Sequence, residues 1–418
     1  MSKVCVIGLG YIGLPTASML ASAGHDVVGC DTNARIVATI NDGHSHFDEP
    51  DLDMLLSAAV KTGRLRAQTM PAEADVFIIA VPTPFKNGKK PDMSFVDAAT
   101  ESVAPFLKPG DTVILESTSP VGTTERIAAS LAGRRPDLQF PKLKEQDTGD
   151  RHIHIAHCPE RILPGDMVRE LVTNDRIIGG LTEACADKCV ELYASFVRGT
   201  CFLTDCRTAE FVKLVENSYR DVNIAFANEL SLISDRLNID VWHAIELANK
   251  HPRVSILSPG PGVGGHCIAV DPWFIIDSAP DESRLVRAAR DINDGKSHYV
   301  FEQVTKAMQR FRDPVVACYG LTYKPDVEDT RESPALDIVR LLATETSSRI
   351  LVCEPMLDTL PGKLARINHV ELTDADTARR EADIVVFLVK HRKFRKLNST
   401  MFLNKVVIDT VGLMHEPR

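Results

Sequence analysis

One cysteine stands where its thiol could act as a nucleophile. Cys267 follows two adjacent glycines in the run GVGGHCIAVDP, residues 262–272. Glycines before a cysteine allow close backbone approach to a ligand and leave the thiol accessible. Asp271, four residues on, is placed to orient a water or to polarise a neighbouring group. The alternative is a buried, inert thiol, because free cysteine often behaves as a small hydrophobe. We expect that second behaviour of four cysteines inside predicted strands, Cys5, Cys30, Cys318 and Cys353.

A glycine pattern near the N-terminus indicates a dinucleotide site. Gly8, Gly10 and Gly13 follow a buried strand pattern and open a helical one, as in G-x-G-x-x-G. The first glycine permits the tight turn, the second admits a pyrophosphate to the backbone, and the third lets helix and sheet pack closely. Asp31 ends the next strand pattern, and its carboxylate would accept from both ribose hydroxyls and repel a 2′-phosphate. NAD is therefore favoured over NADP, although Arg35 nearby opposes that preference. A glycine turn without a ligand is the alternative.

A cysteine beside a nicotinamide suggests one particular chemistry. The thiolate adds to an aldehyde, the hemithioacetal loses a hydride to NAD, and the resulting thioester is hydrolysed to an acid. Lys213 and Asn217 are four residues apart on a predicted helix and therefore share a face. A cation beside an amide suits the oxyanion that forms in acyl chemistry. A solvated helix face is the alternative for this pair.

Hydroxyl-bearing turns follow two other predicted strands. Thr83 lies in the turn at residues 81–84, and Thr118 lies in the turn at residues 117–124. Both turns fall beyond the carboxyl ends of strands, where a doubly wound sheet presents its ligands. We therefore expect the two hydroxyls to face the cofactor. Helix capping is the alternative, because Ser and Thr supply that as well.

Alternating strand and helix patterns must position these groups. Strand patterns occur in two blocks, at 3–10, 25–32, 74–82, 111–118, 152–160 and 175–180, and again at 314–321, 349–355, 382–389 and 405–410. Strands that alternate with helices predict parallel sheets covered on both faces. Between the blocks, apolar residues at helical spacing predict one helix from 208 to about 250 and another over about 282–311. The fold class is therefore α/β, with two doubly wound Rossmann-like domains joined by a central long-helix domain. The predicted divisions are 1–205, 206–312 and 313–418.

Composition excludes several classes of protein. The chain has 418 residues, enough for two to three domains that each bury a core. Hydrophobic residues at 44% and charged residues at 25% exclude a disordered or collagen-like chain. The net charge of −9 and the lack of a basic block argue against a nucleic-acid surface. No apolar run reaches the roughly 18 residues of a membrane span, and the N-terminus leaves no room for a signal peptide. Ten cysteines without regular pairing suggest reduced thiols in a cytosol.

Taken together, the motifs resemble those of the UDP-glucose/GDP-mannose dehydrogenase family. They occur in that family's order and span nearly the whole chain, as GLGYIG, VPTP, STSPVGTT, CPER, EFVKLVENSY, GGHCIAVDP and YKPDVEDTRESPA. The resemblance implies oxidation of C6 of a nucleotide sugar from alcohol to carboxylate, with two NAD per turnover and a covalent cysteine thioester. It also implies an N-terminal NAD domain, a central helical dimerisation domain and a C-terminal domain that holds the nucleotide diphosphate. We therefore expect at least a homodimer.

The resemblance also implies catalytic roles. Cys267 is the expected nucleophile, and Asp271 handles protons around it. Lys213 and Asn217 are expected to stabilise the oxyanion. Glu160 resembles the acid that takes part in forming and hydrolysing the thioester. Thr118 matches the hydroxyl that positions a catalytic water or the nicotinamide.

The binding residues follow from the same motifs. Lys324 matches a position near the substrate, and Arg331 matches one that touches the cofactor. Arg253 matches, with different local spacing, an arginine that such dimers lend across the interface. The expected cofactor contacts are Gly8, Gly10, Tyr11, Ile12, Gly13, Asp31, Arg35, Thr83, Thr118 and Arg331. The expected substrate contacts are Glu160, Arg161, Ile162, Leu163, Lys213, Asn217, Arg253, Gly264 and Lys324.

Two departures from the pattern of UDP-glucose dehydrogenases bear on the sugar. The run at 159–165 lacks a second acid, and His266 replaces a Tyr or Ser before the nucleophile. Both features are typical of the branch that oxidises UDP-N-acetylhexosamines. N-acetyl-D-mannosamine is the preferred sugar, and N-acetylglucosamine, N-acetylgalactosamine and glucose remain open. Products of this kind usually feed surface polysaccharides.

Other functions remain as alternatives. A metal site is not expected, because His157 falls on the opposite strand face from His152 and His154, and Cys185 and Cys189 have no matching second pair. A sensor that binds NAD or nucleotide sugar without turnover would survive Cys267→Ser unchanged. A single-step alcohol dehydrogenase would release one NADH per sugar rather than two.

Overall fold

The computed structural model describes residues 1–145, 152–163, 165–362 and 364–415, so Pro164 of the motif at 159–165 lies outside the described residues. The chain forms two compact units, Met1–Val215 and Glu216–Arg418. The boundary between them falls within one long helix, Cys206–Leu237. Among the described residues, no helix combines the length and apolarity needed to traverse a bilayer.

The first unit is built on an eight-stranded sheet. Its strands are β1 Lys3–Ile7, β2 Asp26–Cys30, β3 Leu65–Gln68, β4 Val76–Ile79, β5 Thr112–Leu115, β6 His154–His157, β7 Arg176–Gly180 and β8 Cys201–Asp205. They lie in the order β3-β2-β1-β4-β5-β6-β7-β8, and only the β6–β7 pair is antiparallel among the described strands. The order reverses between β1 and β4, which places a ligand crevice beyond their carboxyl ends.

Helices cover both faces of this sheet. They are α1 Gly13–Ser22, α2 Ala34–Asn41, α3 Leu52–Lys61, α4 Ser94–Val103, α5 Thr123–Arg134, α6 Met167–Thr173, α7 Glu183–Tyr193 and the start of α8 Cys206–Leu237. Successive residues of a strand point to opposite faces. Accordingly Val4 and Val6 of β1 join one apolar core, while Cys5 and Ile7 join the other. The interior strands of the sheet are therefore buried on both sides, as their near-continuous apolar sequences predict.

The second unit contains the rest of α8 and a five-stranded parallel sheet. Its further helices are α9 Val241–Ala248, α10 Asp271–Ser278, α11 Arg284–Met308, α12 Pro334–Glu345 and α13 Ala375–Glu381. Its strands are β9 Val316–Tyr319, β10 Ile350–Cys353, β11 Val370–Leu372, β12 Ile384–Phe387 and β13 Val406–Asp409, in the order β11-β10-β9-β12-β13. This order reverses between β9 and β12. The two sheets confirm the predicted pair of doubly wound, Rossmann-like sheets.

The long central helix is shorter than the sequence pattern predicted. Instead of continuing to about residue 250, α8 ends at Leu237, and α9 begins at Val241. Asn238 takes a left-handed φ of 54°, and the side chain of Asp240 accepts from the N–H groups of Trp242 and His243 at 3.0 and 3.2 Å. Asn tolerates that conformation and Asp is a favoured N-cap, so the chain turns there without Gly or Pro.

Candidate active site

The glycine turn after β1 leaves room for a ligand at one glycine and none at the other two. Gly8 has φ of 91°, and its N–H donates to the Cys30 carbonyl at 2.8 Å. A Cβ on Gly13 would lie 1.8 Å from the Gly8 carbonyl oxygen, because α1 starts tightly against the strand. A Cβ on Gly10 would meet no atom within 4 Å. The backbone at Gly10 is therefore open, which leaves room for the pyrophosphate expected there.

Asp31, the acid expected at the ribose, holds the glycine turn. Its Oδ2 accepts from the Leu9 N–H at 3.1 Å, and its Oδ1 accepts from the Asn33 N–H at 2.8 Å. Asn33 caps α2, whose first turn carries the exposed Arg35. The half-buried carboxylate therefore ties the end of β2 to the turn after β1.

The two remaining residues of the glycine motif differ in their surroundings. Tyr11 stacks on Phe47 with ring centroids 4.3 Å apart. Ile12 is the N-cap residue of α1, and its side chain makes no capping hydrogen bond.

In the turns after β4 and β5, some hydroxyls bond to the backbone and others remain available to a ligand. Ser117 donates to the Val81 carbonyl at 2.7 Å, and Ser119 donates to the Ser117 carbonyl at 2.8 Å. Thr118 between them is half-buried and makes no side-chain hydrogen bond to the described residues, and Thr83 is half-buried after β4. Thr118 is therefore the hydroxyl of its turn that remains available to a ligand.

The end of the second turn is capped from within the fold. Glu210 of α8 is buried and accepts from the N–H groups of Gly122 and Thr124 at 2.6 and 2.8 Å, and from the Thr124 hydroxyl at 2.6 Å. The N-terminus of α5 therefore has its own carboxylate and offers no anion site. The Thr124 hydroxyl is therefore occupied by Glu210 and is not available to a ligand.

Glu160 is held in a buried ion pair just beyond β6. Its Oε2 lies 2.5 Å from a guanidinium nitrogen of Arg176, and both side chains are almost fully buried. Its Oε1 accepts from the N–H of Arg161 at 2.6 Å. Arg176 also lies over the Tyr193 ring at 5.0 Å. A buried pair of this kind fixes the position of the carboxylate because neither charge is otherwise compensated.

A second buried carboxyl completes this cluster. Glu116 accepts from the Tyr193 hydroxyl at 2.5 Å and from Thr16 at 3.4 Å. Burial, reinforced by the charge of Glu160, raises the pKa of Glu116 to about 7. Sequence reasoning missed this cluster, because Glu116, Arg176 and Tyr193 are far apart in the chain. A buried-strand arginine was the one available signal.

The residues after Glu160 turn away from the strand end. The Arg161 guanidinium donates to the Asp175 carbonyl at 3.1 Å, Ile162 packs against the core, and Leu163 is 53% exposed. Lys213 of α8 is half-buried, and its charge reaches the imidazole of His157 at the end of β6. Burial chiefly, with that charge, lowers the pKa of His157 to about 3. Lys213 and Glu160 thus belong to the same end of the first sheet.

In the second unit, Asn217 and Asp271 meet beside the proposed nucleophile. The Asn217 amide donates to the Asp271 carboxylate at 2.5 Å, and both side chains are buried. Asp271 is the first residue of α10, and its N–H donates to the Cys267 carbonyl at 2.8 Å. The cysteine therefore sits in the turn that leads into a helix.

Cys267 is distinguished from the other cysteines by exposure. All ten cysteines lie within the described residues and are free thiols, and Cys267 alone is exposed. Burial raises the pKa of Cys5 to about 11 and those of Cys30, Cys318 and Cys353 to about 12. These four are buried, as predicted, and are poor nucleophiles.

The glycines before Cys267 lie against another part of the chain, whereas we expected them to lie against a ligand. A Cβ on Gly264 would lie 2.5 Å from the Glu332 carbonyl oxygen and 2.8 Å from Tyr323. Gly265 has φ of 80°, and its N–H donates to the Arg331 carbonyl at 3.1 Å. The glycines therefore allow the nucleophile turn to pack against the loop that follows β9.

That loop also brings a cation toward His266. Arg331 pairs with Asp329 at 2.7 Å and is 47% exposed. Desolvation of the His266 ring lowers its pKa, and the Arg331 guanidinium acts in the same direction. His266 therefore favours its neutral form beside Cys267.

Lys324 lies on the same loop, which a buried pair holds at the switch point of the second sheet. Glu354 accepts from the N–H groups of Leu321 and Thr322 at 2.6 and 3.1 Å. His391 accepts at Nδ1 from the Asp326 N–H at 3.0 Å, and its Nε2 lies 3.2 Å from Glu354. Since Nδ1 accepts, we assign the proton to Nε2, which donates to the carboxylate.

Two expected substrate cations carry no ion pair with the described residues. The half-buried Lys324 is one, and the exposed Arg253, in the segment after α9, is the other. Sequence reasoning found Lys324 but missed Glu354 and His391, which act on it only through the folded loop.

Comparison with known proteins covers nearly the whole chain. Sequence models of the UDP-glucose/GDP-mannose dehydrogenase family match residues 2–197 as its NAD binding domain, 207–295 as its central domain and 317–416 as its UDP binding domain. An NDP-N-acetyl-D-galactosaminuronic acid dehydrogenase from Ralstonia nicotianae is 55% identical over 415 residues, which are 99% of this chain and 97% of that protein.

Two further similarities concern another sugar. A UDP-N-acetyl-D-mannosamine dehydrogenase from Campylobacter jejuni is 53% identical over 399 residues, 95% of this chain and 97% of that protein. The solved structure of a UDP-D-ManNAc dehydrogenase from Pyrococcus horikoshii aligns with a TM-score of 0.87 and 37% identity, over 99% of this chain and 96% of that one.

Proposed function

We propose that the chain oxidises C6 of UDP-N-acetyl-D-mannosamine to the carboxylate, since it belongs to the UDP-glucose/GDP-mannose dehydrogenase family and is an NAD-dependent UDP-sugar dehydrogenase. The observation that carries the proposal is Cys267, the exposed thiol at the start of α10 beside the Asn217–Asp271 pair. An alcohol-to-aldehyde enzyme needs no such nucleophile. A thiol is what retains the aldehyde for a second oxidation.

N-acetyl-D-galactosamine is the second candidate sugar. The Ralstonia relative that carries this sugar in its name is 55% identical to the chain, slightly above the mannosamine relatives. The two sugars differ in the orientation of the substituents at C2 and C4. We keep mannosamine first because the run at 159–165 and His266 most closely resemble UDP-N-acetyl-D-mannosamine dehydrogenases, and because the solved mannosamine structure aligns over 99% of the chain.

The residues at the first strand ends fit NAD. Gly10 leaves the backbone open, Asp31 presents a carboxylate at the ribose position, and α1 begins beside the turn. NAD, when bound, supplies the acceptor for the hydride in each of the two oxidations. The chain's own task is to hold the reacting carbon, to provide the sulfur and to move protons.

The thioester route assigns a step to each of the catalytic side chains proposed above. The first oxidation converts the C6 alcohol to an aldehyde, and the Cys267 thiolate adds to that carbonyl carbon to form a carbon–sulfur bond. Asn217 and Lys213 stabilise the oxygen that becomes negative, and Asp271 orients the amide of Asn217. The second oxidation gives the thioester. Glu160 and Thr118 position the water whose oxygen replaces sulfur, and the thiolate is regenerated.

The balance of this route is testable. One alcohol, one water and two NAD give one carboxylate, two NADH and three protons. Incubating the chain with NAD and a limiting amount of each UDP-N-acetylhexosamine is expected to give two NADH per sugar, fastest with the manno epimer. One NADH per sugar would show a dehydrogenase that stops at the aldehyde.

Loss of the sulfur tests the nucleophile separately. Cys267→Ala is expected to lower acid formation at least 1,000-fold while the affinity for NAD and UDP-sugar stays within threefold, because binding does not require the thiol. Cys201→Ala, at a half-buried cysteine, is the matched control and should keep full activity. Equal activity in both variants would contradict the thioester route, and turnover absent from the parent chain would favour a sensor.

The remaining parts of the proposal rest on resemblance. We propose the three-domain division at 1–205, 206–312 and 313–418, a homodimer or larger homo-oligomer, and Arg253 as a substrate contact lent across its interface. We also propose that the enzyme works in the cytoplasm, where the Cys267 thiol stays reduced, and that its uronic acid product enters polysaccharide synthesis.

A further inference from the structure

The second unit contains a cavity of about 830 Å³ that the proposed reaction does not use. Its walls come from the second half of α8, the start of α9, α11 and the edge strand β13. The volume is in the range of pockets that take small metabolites. None of the nucleotide-sugar contacts proposed above lines it, since Lys324, Gly264, Asn217 and Arg253 are absent from its walls.

The cavity collects cations without carboxylate partners. Arg236, Lys296 and Lys306 line it, and none of the three forms an ion pair with the described residues. The two acids on the walls are engaged elsewhere. Asp235 accepts from the Tyr299 hydroxyl at 2.6 Å, and Asp409 accepts from the N–H groups of Val411 and Met414 at 3.1 and 2.7 Å. The walls therefore carry three cationic side chains against two acidic ones, which is a net positive charge.

Lys296 is the buried member of this set. The residue is only 5% exposed, and its ammonium group donates to the Ser231 hydroxyl at 2.6 Å and lies 4.9 Å from the centre of the Tyr299 ring. Burial lowers the pKa of Lys296 to about 8, although Asp235 opposes the shift. A buried ammonium is costly unless an anion compensates it. An oxyanion in the cavity would supply that compensation and the missing acceptors for its N–H donors.

We propose that this cavity is a second ligand site, which binds a phosphate- or pyrophosphate-bearing metabolite through Lys296, with Arg236 and Lys306 at its rim. Trp242 supplies an apolar wall for the rest of the ligand. The proposal is independent of the reaction at Cys267, because it concerns different residues and a different ligand group.

Titration calorimetry with inorganic pyrophosphate tests the site in the full chain. Saturating NAD and UDP are present throughout, so that the cofactor and nucleotide-sugar sites are filled. At pH 7 we expect one pyrophosphate per chain, at least tenfold weaker binding in Lys296→Met, and unchanged binding in Lys61→Met, an exposed lysine of α3. Circular-dichroism melting checks that each variant is folded, without reference to activity.

The pH dependence separates a direct contact from a structural effect. Deprotonation above about pH 8 removes the Lys296 charge, so the affinity ratio between the parent chain and Lys296→Met should fall toward one by pH 9.5. The ratio cancels the titration of pyrophosphate itself. Asp235, Arg236, Tyr299, Lys306 and Asp409 are the other titratable groups on the walls and are common to both proteins.

Three results would overturn the proposal. These are no binding by the parent chain at 10 mM pyrophosphate, equal binding by Lys296→Met at pH 7, or a ratio that does not change with pH. If Lys296→Met does not fold, Arg236→Gln at the rim takes its place, with an expected threefold loss, and parental affinity in that variant would overturn the site.

Discussion

The ion pair between Arg176 and Glu160 shows what one buried residue contributes to this active site. Glu160 is the carboxylate that the thioester route assigns to water, and it lies in a region where no solvent compensates its charge. Arg176 and the Arg161 N–H hold its two oxygens in fixed directions. In the proposed route Arg176 is a positioning residue, because it would act through Glu160 rather than on the substrate.

Removing Arg176 is expected to lower stability strongly. Arg176→Met leaves a buried carboxylate without its counter-ion, which typically costs about 3–5 kcal/mol in the free energy of unfolding. Arg349→Met is the matched control, because Arg349 pairs with Glu371 and Glu381 at an exposed site and should cost about 1 kcal/mol or less. Urea titration of both variants measures the difference. Similar losses of unfolding free energy in the two variants would show that the buried pair stabilises the fold no more than the exposed one.

Glu116 gives stability an unusual pH dependence at the same place. Because burial and Glu160 raise its pKa to about 7, the folded chain keeps a proton that the unfolded chain has released above about pH 4.3. Stability then falls as pH rises through this window, by at most about 1.4 kcal/mol per pH unit. Glu116→Gln, which is always neutral, should gain stability over the parent chain from pH 5 to pH 7.

The control for this titration is Glu101→Gln, at an exposed partner of Arg134. Its stability difference from the parent chain should stay flat over the same range. Urea unfolding at pH 5, 6 and 7 measures both, and a flat difference for Glu116→Gln would mean that its carboxyl is ionised in the folded chain.

Among the elements, the loop after β9 shows how a buried pair can serve a distant cation. Glu354 and His391 fix the backbone at Leu321, Thr322 and Asp326, on either side of Lys324. The lysine itself carries no ion pair with the described residues, so its position depends on the loop. The pair therefore determines where positive charge meets the proposed diphosphate.

Disturbing this pair should weaken substrate binding more than chemistry. Glu354→Gln places an amide N–H₂ where the carboxylate accepts backbone N–H groups, so the loop should lose order. We expect the KM for the UDP-sugar to rise at least tenfold, with kcat within threefold, in steady-state assays. Glu371→Gln, at an exposed glutamate of β11, is the control and should leave both unchanged. A fall in kcat alone would place the pair in the chemical step.

The sequence predicted the interior strands of both sheets and missed most of the edge strands. The apolar runs of β1, β4, β5, β9 and β12 are buried on both faces, so their patterns were clear. The missed strands β3, β8 and β11 all lie at an edge of a sheet, where pairing on one side permits short and polar sequences. The turn at Asn238 was missed because neither Gly nor Pro marks it.

For the candidate site, sequence motifs mark the residues that we propose to act, and they do not mark the residues that hold them in place. Cys267, Asp271 and the glycine turn have local signatures. Arg176 and His391 have none, because each meets its partner only after the sheets have formed. Three-dimensional proximity of charges distant in sequence is the information that spacing does not carry.

At the scale of the whole molecule, α8 presents an exposed apolar stripe. Tyr219, Phe226, Ile233 and Leu237 recur on this helix and are between 47% and 69% exposed. Large apolar side chains repeated along one helix are typical of an interface rather than of a solvated surface. This pattern supports the proposed oligomer.

Charge placed in the stripe should therefore separate the subunits. Phe226→Glu is expected to weaken self-association at least 100-fold in sedimentation velocity, because association would bury the carboxylate. Leu403→Glu, at an 80% exposed residue of the second unit, is the control and should sediment like the parent chain. An unchanged oligomer in Phe226→Glu would place the interface elsewhere.

The two hydrogen bonds that Asp31 accepts limit how the cofactor specificity of this enzyme could be changed. Replacing such an acid with a small neutral residue is the obvious first step toward accepting a phosphorylated ribose. Here the same oxygens anchor the Leu9 and Asn33 amides, so the substitution would loosen the neighbouring turn before any new specificity arose. A successful conversion would have to keep an acceptor at this position and recruit Arg35 to the added charge.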